Sequence, residues 1–302
     1  MKKKQNSLYH IVIGVIFLII AITFFLPFIK GDISFIWDTR DFGFTYLNQV
    51  SKSLIDFKLP LWNSGNFSGY PFAADIESMM FYPIFWIFTL IFKSIQFTEL
   101  PYFFIFHFFI GSIGAYSLSY KFTKNIIPSF LGAIIFTYSG YALGHISHLG
   151  QVISYMWIPF IFYTYIIALE KKKLFFSLLA GLIFGISILV GHFNTSVYVL
   201  LGLFILTIFN LLTLKDKLKT AIYALITTIF ALMIASISIF PVYELAVQSN
   251  RSDLNYEQHS ENFSLNPLNL PGLIFPNFNK ILSETPLKDF NGSVDITQNY
   301  YI

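Results

Sequence analysis

Seven apolar runs, most of them close to twenty residues, leave this chain few ways to fold. They cover roughly 10–29, 101–120, 126–144, 150–169, 174–191, 194–213 and 220–243. A helix rises 1.5 Å per residue and a bilayer's hydrocarbon core is about 30 Å thick, so runs of this length can cross it. Only 12% of the residues are charged and 55% are hydrophobic, where a soluble domain carries about 25% charged. The fold class expected is all-α, a polytopic membrane protein with about seven transmembrane helices. An eighth apolar stretch, "MMFYPIFWIFTLIF" (79–92), is shorter and contains Pro83.

Whether 79–92 crosses decides the orientation of every span after it. The positive-inside rule arbitrates. If it does not cross, Lys2, Lys3, Lys4, Lys121, Lys124, Lys171, Lys172, Lys173, Lys215, Lys217 and Lys219 all face the cytoplasm, beside only Glu170 and Asp216. If it does cross, every lysine cluster after it faces outward. The first arrangement is expected, with 79–92 a helix lying at the outer interface. The N-terminus is then cytoplasmic, and the loop 30–100, the turns 140–151 and 190–194 and the segment 244–302 are extracytoplasmic.

Two domains follow from this reading: a transmembrane module over 1–243 that includes the long loop 30–100, and an extracytoplasmic segment over 244–302. The basic start "MKKKQNSLYH" resembles the positive region of a signal peptide, but no small-residue cleavage pattern follows the apolar run, so it reads as a retained first helix. The ending "DITQNYYI" reads as a chain that stops short. With no cysteine, thiolate metal sites and cysteine nucleophiles are excluded. The net charge of +3 and the absence of a basic, aromatic-studded patch give no reason to expect nucleic acid. No Walker-type glycine loop, GxSxG elbow or HExxH is present.

The polar residues that remain lie in the outer segments. "WDTRDFGFTY" (37–46) sets Asp38, Arg40 and Asp41 just past the first span. A carboxylate at the membrane boundary can take a proton from a hydroxyl or hold a divalent cation such as Mg or Mn; the plain alternative is a solvated acid paired with Arg40. The stretch "LPLWNSGNFSGYPFAADIESMMFYP", with Trp62, Asn63 and Tyr82, is dense in turn-forming residues, and an aromatic belt at the interface explains its rings but not its Gly and Asn spacing. His145 and His148 share one outer turn and His192 occupies another. No acid beside the pair completes a metal ligand set, so contacts to a phosphate or sugar hydroxyl suit them better. His107, inside a span, reads as a packing residue. Glu244 marks the end of the last span, and Arg251 follows as a guanidinium able to clamp a lipid phosphate.

These pieces, in order, resemble the bacterial YfhO-type membrane proteins. Residues 37–83 look like that family's first extracytoplasmic loop, through Pro60-Leu61-Trp62-Asn63, Gly69-Tyr70-Pro71, Ala73-Ala74 and Tyr82-Pro83. "GHISHLGQVISYMWIPFIF", "GHFNTSVYVLL" and "FPVYELAVQSNRS" are similar to its later turns. Ser68, Glu77 and Phe193-Asn194 depart from its pattern. The resemblance implies a GT-C-type fold, and an enzyme moving a sugar from a polyprenyl-phosphate donor to a cell-envelope glycopolymer or lipid acceptor. It implies a first-loop carboxylate as base, Asp41 or Asp38; Asp41 is slightly favoured because Phe44 and Tyr46 follow it as an aromatic wall. Arg40, Trp62, Asn63, Tyr82, His145, His148, His192, Glu244 and Arg251 are the expected substrate contacts. Two other readings compete: a transporter or flippase of a lipid-linked intermediate, which needs ionisable groups at mid-membrane depth, and an envelope scaffold without chemistry.

Overall fold

The computed structural model describes residues 2–66, 68–213, 216–249, 270–272 and 275, with side chains from residue 8 onward. Apolar runs flanked by Lys, Pro or Asn fold as helices, because a backbone in hydrocarbon must satisfy its polar groups internally. Helix α1 spans Lys2–Lys30, α2 Thr45–Ile55, α3 Pro83–Phe92, α4 Leu100–Thr123, α5 Ile126–Thr137, α6 Gly140–Gly144, α7 Leu149–Lys171, α8 Leu174–Ile188, α9 Phe193–Thr213 and α10 Lys217–Val247. A π-helical turn, Thr39–Phe44, precedes α2, and 3₁₀ turns occupy Phe72–Ala74, Ile76–Ser78 and Phe97–Glu99. The only bridge among the described residues joins Asn63 to Tyr70.

Among the described residues, six helical segments are long and apolar enough to cross a membrane: 8–30, 97–123, 126–144, 149–171, 193–213 and 217–247. Two expectations need revision. The run 126–144 is one apolar stretch but two helices, broken at Tyr138 and restarted at Ser139, whose hydroxyl accepts from the Ala142 N–H at 3.2 Å. The run 174–191 gives only the fifteen residues of α8, because the chain leaves the helix at Leu189 and turns at Gly191. The stretch 79–92 is helical only from Pro83. A proline at the first helical position starts a helix without losing a needed N–H, and Met79 before it is left-handed, at φ 51°.

The chain divides into two units, Met1–Tyr243 and Glu244–Ile302. In the first, α4 packs against α1, α5 and α7, and α7 against α8 and α9. Small residues let the helices approach: Gly111 and Gly114 of α4 lie against Met156 and Phe160 of α7, and Gly181 and Gly185 of α8 lie against the α10 backbone at Thr227 and Ala231. The core is largely aromatic, with Phe17 stacked on Phe130 and Phe35 on Phe104. At one end of the bundle the basic turns meet each other. Lys121 pairs with Glu170, and Lys172 with Asp216 at 2.8 Å. In the second unit, the described residues comprise the last turn of α10, where Glu244 is exposed, and a short turn at 270–272.

Candidate functional site

At the end of the bundle away from the paired lysines, four segments separate in sequence meet. Thr39 is the pin. It is fully buried, its N–H donates to the Ser147 carbonyl and its hydroxyl to the Ile146 carbonyl, both at 2.8 Å. That locks the start of the π-helical turn onto the turn before α7. Asp38, one residue earlier, is thereby held beside His148, with Oδ2 3.6 Å from Nε2. Asp41 is placed differently. Its carboxylate is taken by the neighbouring Arg40 at 2.8 Å, and both side chains are more than half exposed beside an open groove of about 540 Å³. The ion pair holds the Arg40 guanidinium above its ordinary value. Phe44 and Tyr46 form no wall around Asp41: Phe44 packs edge-on against Phe97 and Tyr46 is buried against Phe72.

Asp38, Glu77, His148, Gln151 and His192 line one pocket of about 100 Å³, with Gly43, Met79, Leu149, Gly150, Val190 and Gly191 filling in its walls. Glu77 sits on a built turn. The Asp75 carboxylate accepts from the Glu77 N–H at 3.0 Å and from the Tyr70 hydroxyl at 2.8 Å, and Ser78 donates to the Asp75 carbonyl. Gly191 clamps this turn from the other side. It adopts φ +95°, and a Cβ there would stand 1.6 Å from the Ile76 carbonyl oxygen, so only glycine lets the turn before α9 lie against the turn carrying Glu77.

The electrostatics are those of an acidic pocket. Glu77 stays exposed at the pocket mouth, and partial burial, then Asp75, then Asp38, push its carboxyl above its ordinary value. Burial, then His145 and His148, pull the His192 imidazole below its own. The Nδ1 of His192 lies 2.6 Å from the Thr195 hydroxyl and accepts the Thr195 N–H at 3.4 Å. With Nδ1 an acceptor, the neutral ring carries its proton on Nε2 as a donor. No Lys or Arg lines the pocket.

The other expected contacts are dispersed. His145 lies next to the site, its ring 5.7 Å from that of His148, with Nδ1 bonded to the Tyr141 carbonyl. Trp62 is exposed, its indole edge over Gly69. Asn63 is buried and internally bonded, its side chain accepting the Gly65 N–H at 2.9 Å. Tyr82 is fully buried. Its hydroxyl sits 2.7 Å from His107 Nε2 and accepts Trp157 Nε1–H at 2.9 Å, while His107 Nδ1 lies 2.7 Å from the Phe103 carbonyl. Tyr82 therefore tethers the first loop to α4 and α7 from beneath instead of facing the pocket. Glu244 belongs to the second unit, and Arg251 lies outside the described residues. Glu77 is the site residue that sequence spacing passed over; an acid inside the apolar context "AADIESMM" was the available signal.

Among the described residues, no three His, Asp or Glu side chains stand close enough together to form a metal site of their own. No protein-family model matches the chain, and no curated protein matches its sequence.

Proposed function

We propose that this chain is a polytopic membrane glycosyltransferase of GT-C type. It moves a sugar from a polyprenyl-phosphate donor to a cell-envelope acceptor at the extracytoplasmic face, with Asp38 as the base. The observation that carries this reading is the pocket itself. Residues 38, 77, 148 and 192, from four separate segments, converge at the end of the bundle opposite the paired basic turns. The ordered resemblance to YfhO-type proteins supports it, as does the lysine distribution. In this reading α8, although short, is the seventh span.

Geometry favours Asp38 over Asp41. Asp38 faces both the pocket and the adjacent groove and has a histidine at 3.6 Å to steady it, whereas Asp41 is engaged by Arg40. A carboxylate so placed can accept the proton of an acceptor hydroxyl as that oxygen attacks the donor sugar. The groove that Arg40 lines gives the donor phosphate a cation outside the acidic pocket. An apolar crevice of about 550 Å³ between α9 and α10, lined by Val197, Leu201, Phe204 and Leu225 among others, suits a lipid chain. It begins five residues after His192, roughly 7.5 Å along the helix axis. A transport path has less support, since His107, the ionisable residue deep within α4, is fully consumed by Tyr82 and the Phe103 carbonyl.

The test is sugar transfer in membranes supplied with polyprenyl-phosphate sugars. Asp38→Asn should cut transfer by about 10²–10⁴-fold, with Asp41→Asn staying within about tenfold of wild type at equal membrane levels. Full activity in the double variant would sink the mechanism, and loss confined to Asp41→Asn would move the base.

A further inference from the structure

Two buried hydroxyls on neighbouring helices are left without hydrogen bonds. Ser154 of α7 is fully buried and Ser196 of α9 is 8% exposed, and neither Oγ has a partner. Serine and threonine within helices commonly bond a carbonyl one turn back. Ser117, Thr164, Thr207 and Thr228 do so here. Ser154 and Ser196 do not, and a desolvated hydroxyl left unmet costs free energy that an apolar side chain in its place would not.

The register of the two helices brings the pair to one level. Both helices start at the pocket and run away from it, so they are parallel. The Tyr165 and Thr207 hydroxyls, 42 positions apart, are hydrogen-bonded across the seam. At the pocket end the same separation holds, since a Cβ on Gly150 would stand 3.9 Å from that of His192. Ser154 and Ser196 share it too. They lie one turn past Gly150 and His192, roughly 6 Å along the axes, and about three turns before Tyr165 and Thr207. Both therefore sit in the α7–α9 seam directly beneath two residues of the pocket wall.

We infer that α7 and α9 enclose a water-binding site between Ser154 and Ser196, and that its water ties the pocket end of α9, and with it His192, to α7. Each hydroxyl offers one donor and two acceptors. A water answers both hydroxyls at once without the two Oγ atoms having to meet. The His192 carbonyl, whose bond from the Ser196 N–H is long at 3.4 Å, keeps a lone pair for a third contact. Two to four polar partners are what an internal water needs. The packing above favours so small a ligand, because a Cβ on Gly150 would already touch Met79, Val190 and His192 at 3.7 to 3.9 Å. The Tyr165–Thr207 bond fastens the two helices about four turns below His192; the water fastens the end that carries it. Nothing in this depends on what the pocket binds.

The test uses the full chain in deuterated lipid bilayers. Water-edited solid-state NMR on serine-labelled protein should transfer magnetisation from water to Ser154 and Ser196, each identified by the signal lost in its alanine variant. In protein with ¹⁵N-labelled histidine rings, Ser154→Ala and Ser196→Ala should each shift the His192 resonance. Ser177→Ala, at another buried and unpartnered serine on α8, should leave it in place. In thermal unfolding each single variant strands the opposite hydroxyl and should lower the midpoint by a few degrees. The double variant, with no hydroxyl left to satisfy, should melt no lower than the weaker single. Additive losses, or a His192 resonance unmoved by either substitution, overturn the inference. Coupled losses without water contact at the two serines would mean that the hydroxyls bond each other directly, and overturn it as well.

Discussion

Single residues set the pocket through their backbone as much as through their side chains. Gly191 is the sharpest case. Its left-handed φ and the absence of a Cβ let the Ile76 carbonyl approach to where a methyl would overlap it at 1.6 Å. Gly191→Ala meets a backbone oxygen that cannot rotate aside, on top of about 1–2 kcal/mol for an L-residue in that region. A loss of at least about 2 kcal/mol is expected, read as a lower thermal midpoint in detergent. An unchanged midpoint would show that the Glu77 turn is not clamped there. Glu77 also carries a pH signature. Its folded-state pKa is raised above the ordinary 4.5, so the folded state holds the proton more tightly than the unfolded chain. The stabilisation from that proton is fully present below pH 4.5 and is lost as pH rises through the elevated folded value. Glu77→Gln removes this loss, so the variant should melt above wild type at pH 7 to 8, with the gap closing toward pH 4.5. A gap that is constant across that range would mean that Glu77 titrates as an ordinary surface acid.

Between α8 and α10 the approach is close, and glycine spacing explains it. Gly181 and Gly185 fall four apart on one face, and a Cβ at either would come within 2.7 to 2.8 Å of Thr227 O or Ile234 Cβ. Lipid tails are as apolar as leucine, so such packing, together with the Thr227 hydroxyl donating to the Ser177 carbonyl at 3.2 Å, is what holds the pair. Gly185→Leu should cost about 1–3 kcal/mol by overpacking. Gly140→Ala, where a Cβ meets nothing within 4 Å, is the matched control and should leave the midpoint in place. Equal effects at both positions would mean that glycine's backbone freedom, and not the helix contact, decides. The spans were legible because twenty apolar residues in a row have few other uses, and the lysine turns were legible because they are short. The break at Tyr138–Ser139 was not, since Phe136, Tyr138 and Tyr141 keep the run apolar while the Ser139 cap restarts the helix. The partnering of Asp38 with His148 was hidden for a different reason. Two acids three apart look equivalent until Thr39 ties its turn to Ile146 and Ser147, more than a hundred residues away. Glu77 was missed because its position depends on Gly191, which only the fold brings near.

At the level of the whole molecule, orientation in the membrane decides whether the proposed chemistry is possible. A polyprenyl-phosphate donor presented outside the cell requires the pocket to face outward, and the helix bundle by itself has no preferred direction. The sequence supplies the asymmetry through its lysines, and the fold makes it testable, because the basic turns meet at one end and the pocket forms at the other. The chain has no cysteine, so one introduced thiol reports cleanly. The reporter must be exposed in the folded protein, which excludes Ile95, buried with its N–H on the Ser51 hydroxyl. Phe57, 96% exposed just past α2 in the first loop, is suitable. Lys124, exposed after α4, is its counterpart at the basic end. In intact cells a membrane-impermeant maleimide should label Phe57→Cys and spare Lys124→Cys, and permeabilisation should expose the second. The reverse pattern would put the pocket in the cytoplasm, where a donor facing the outer leaflet cannot reach it. Labelling of both in intact cells would mean that an even number of crossings lies between residues 57 and 124. The short α3 is the segment to suspect in that case, since its ten residues reach only about 15 Å.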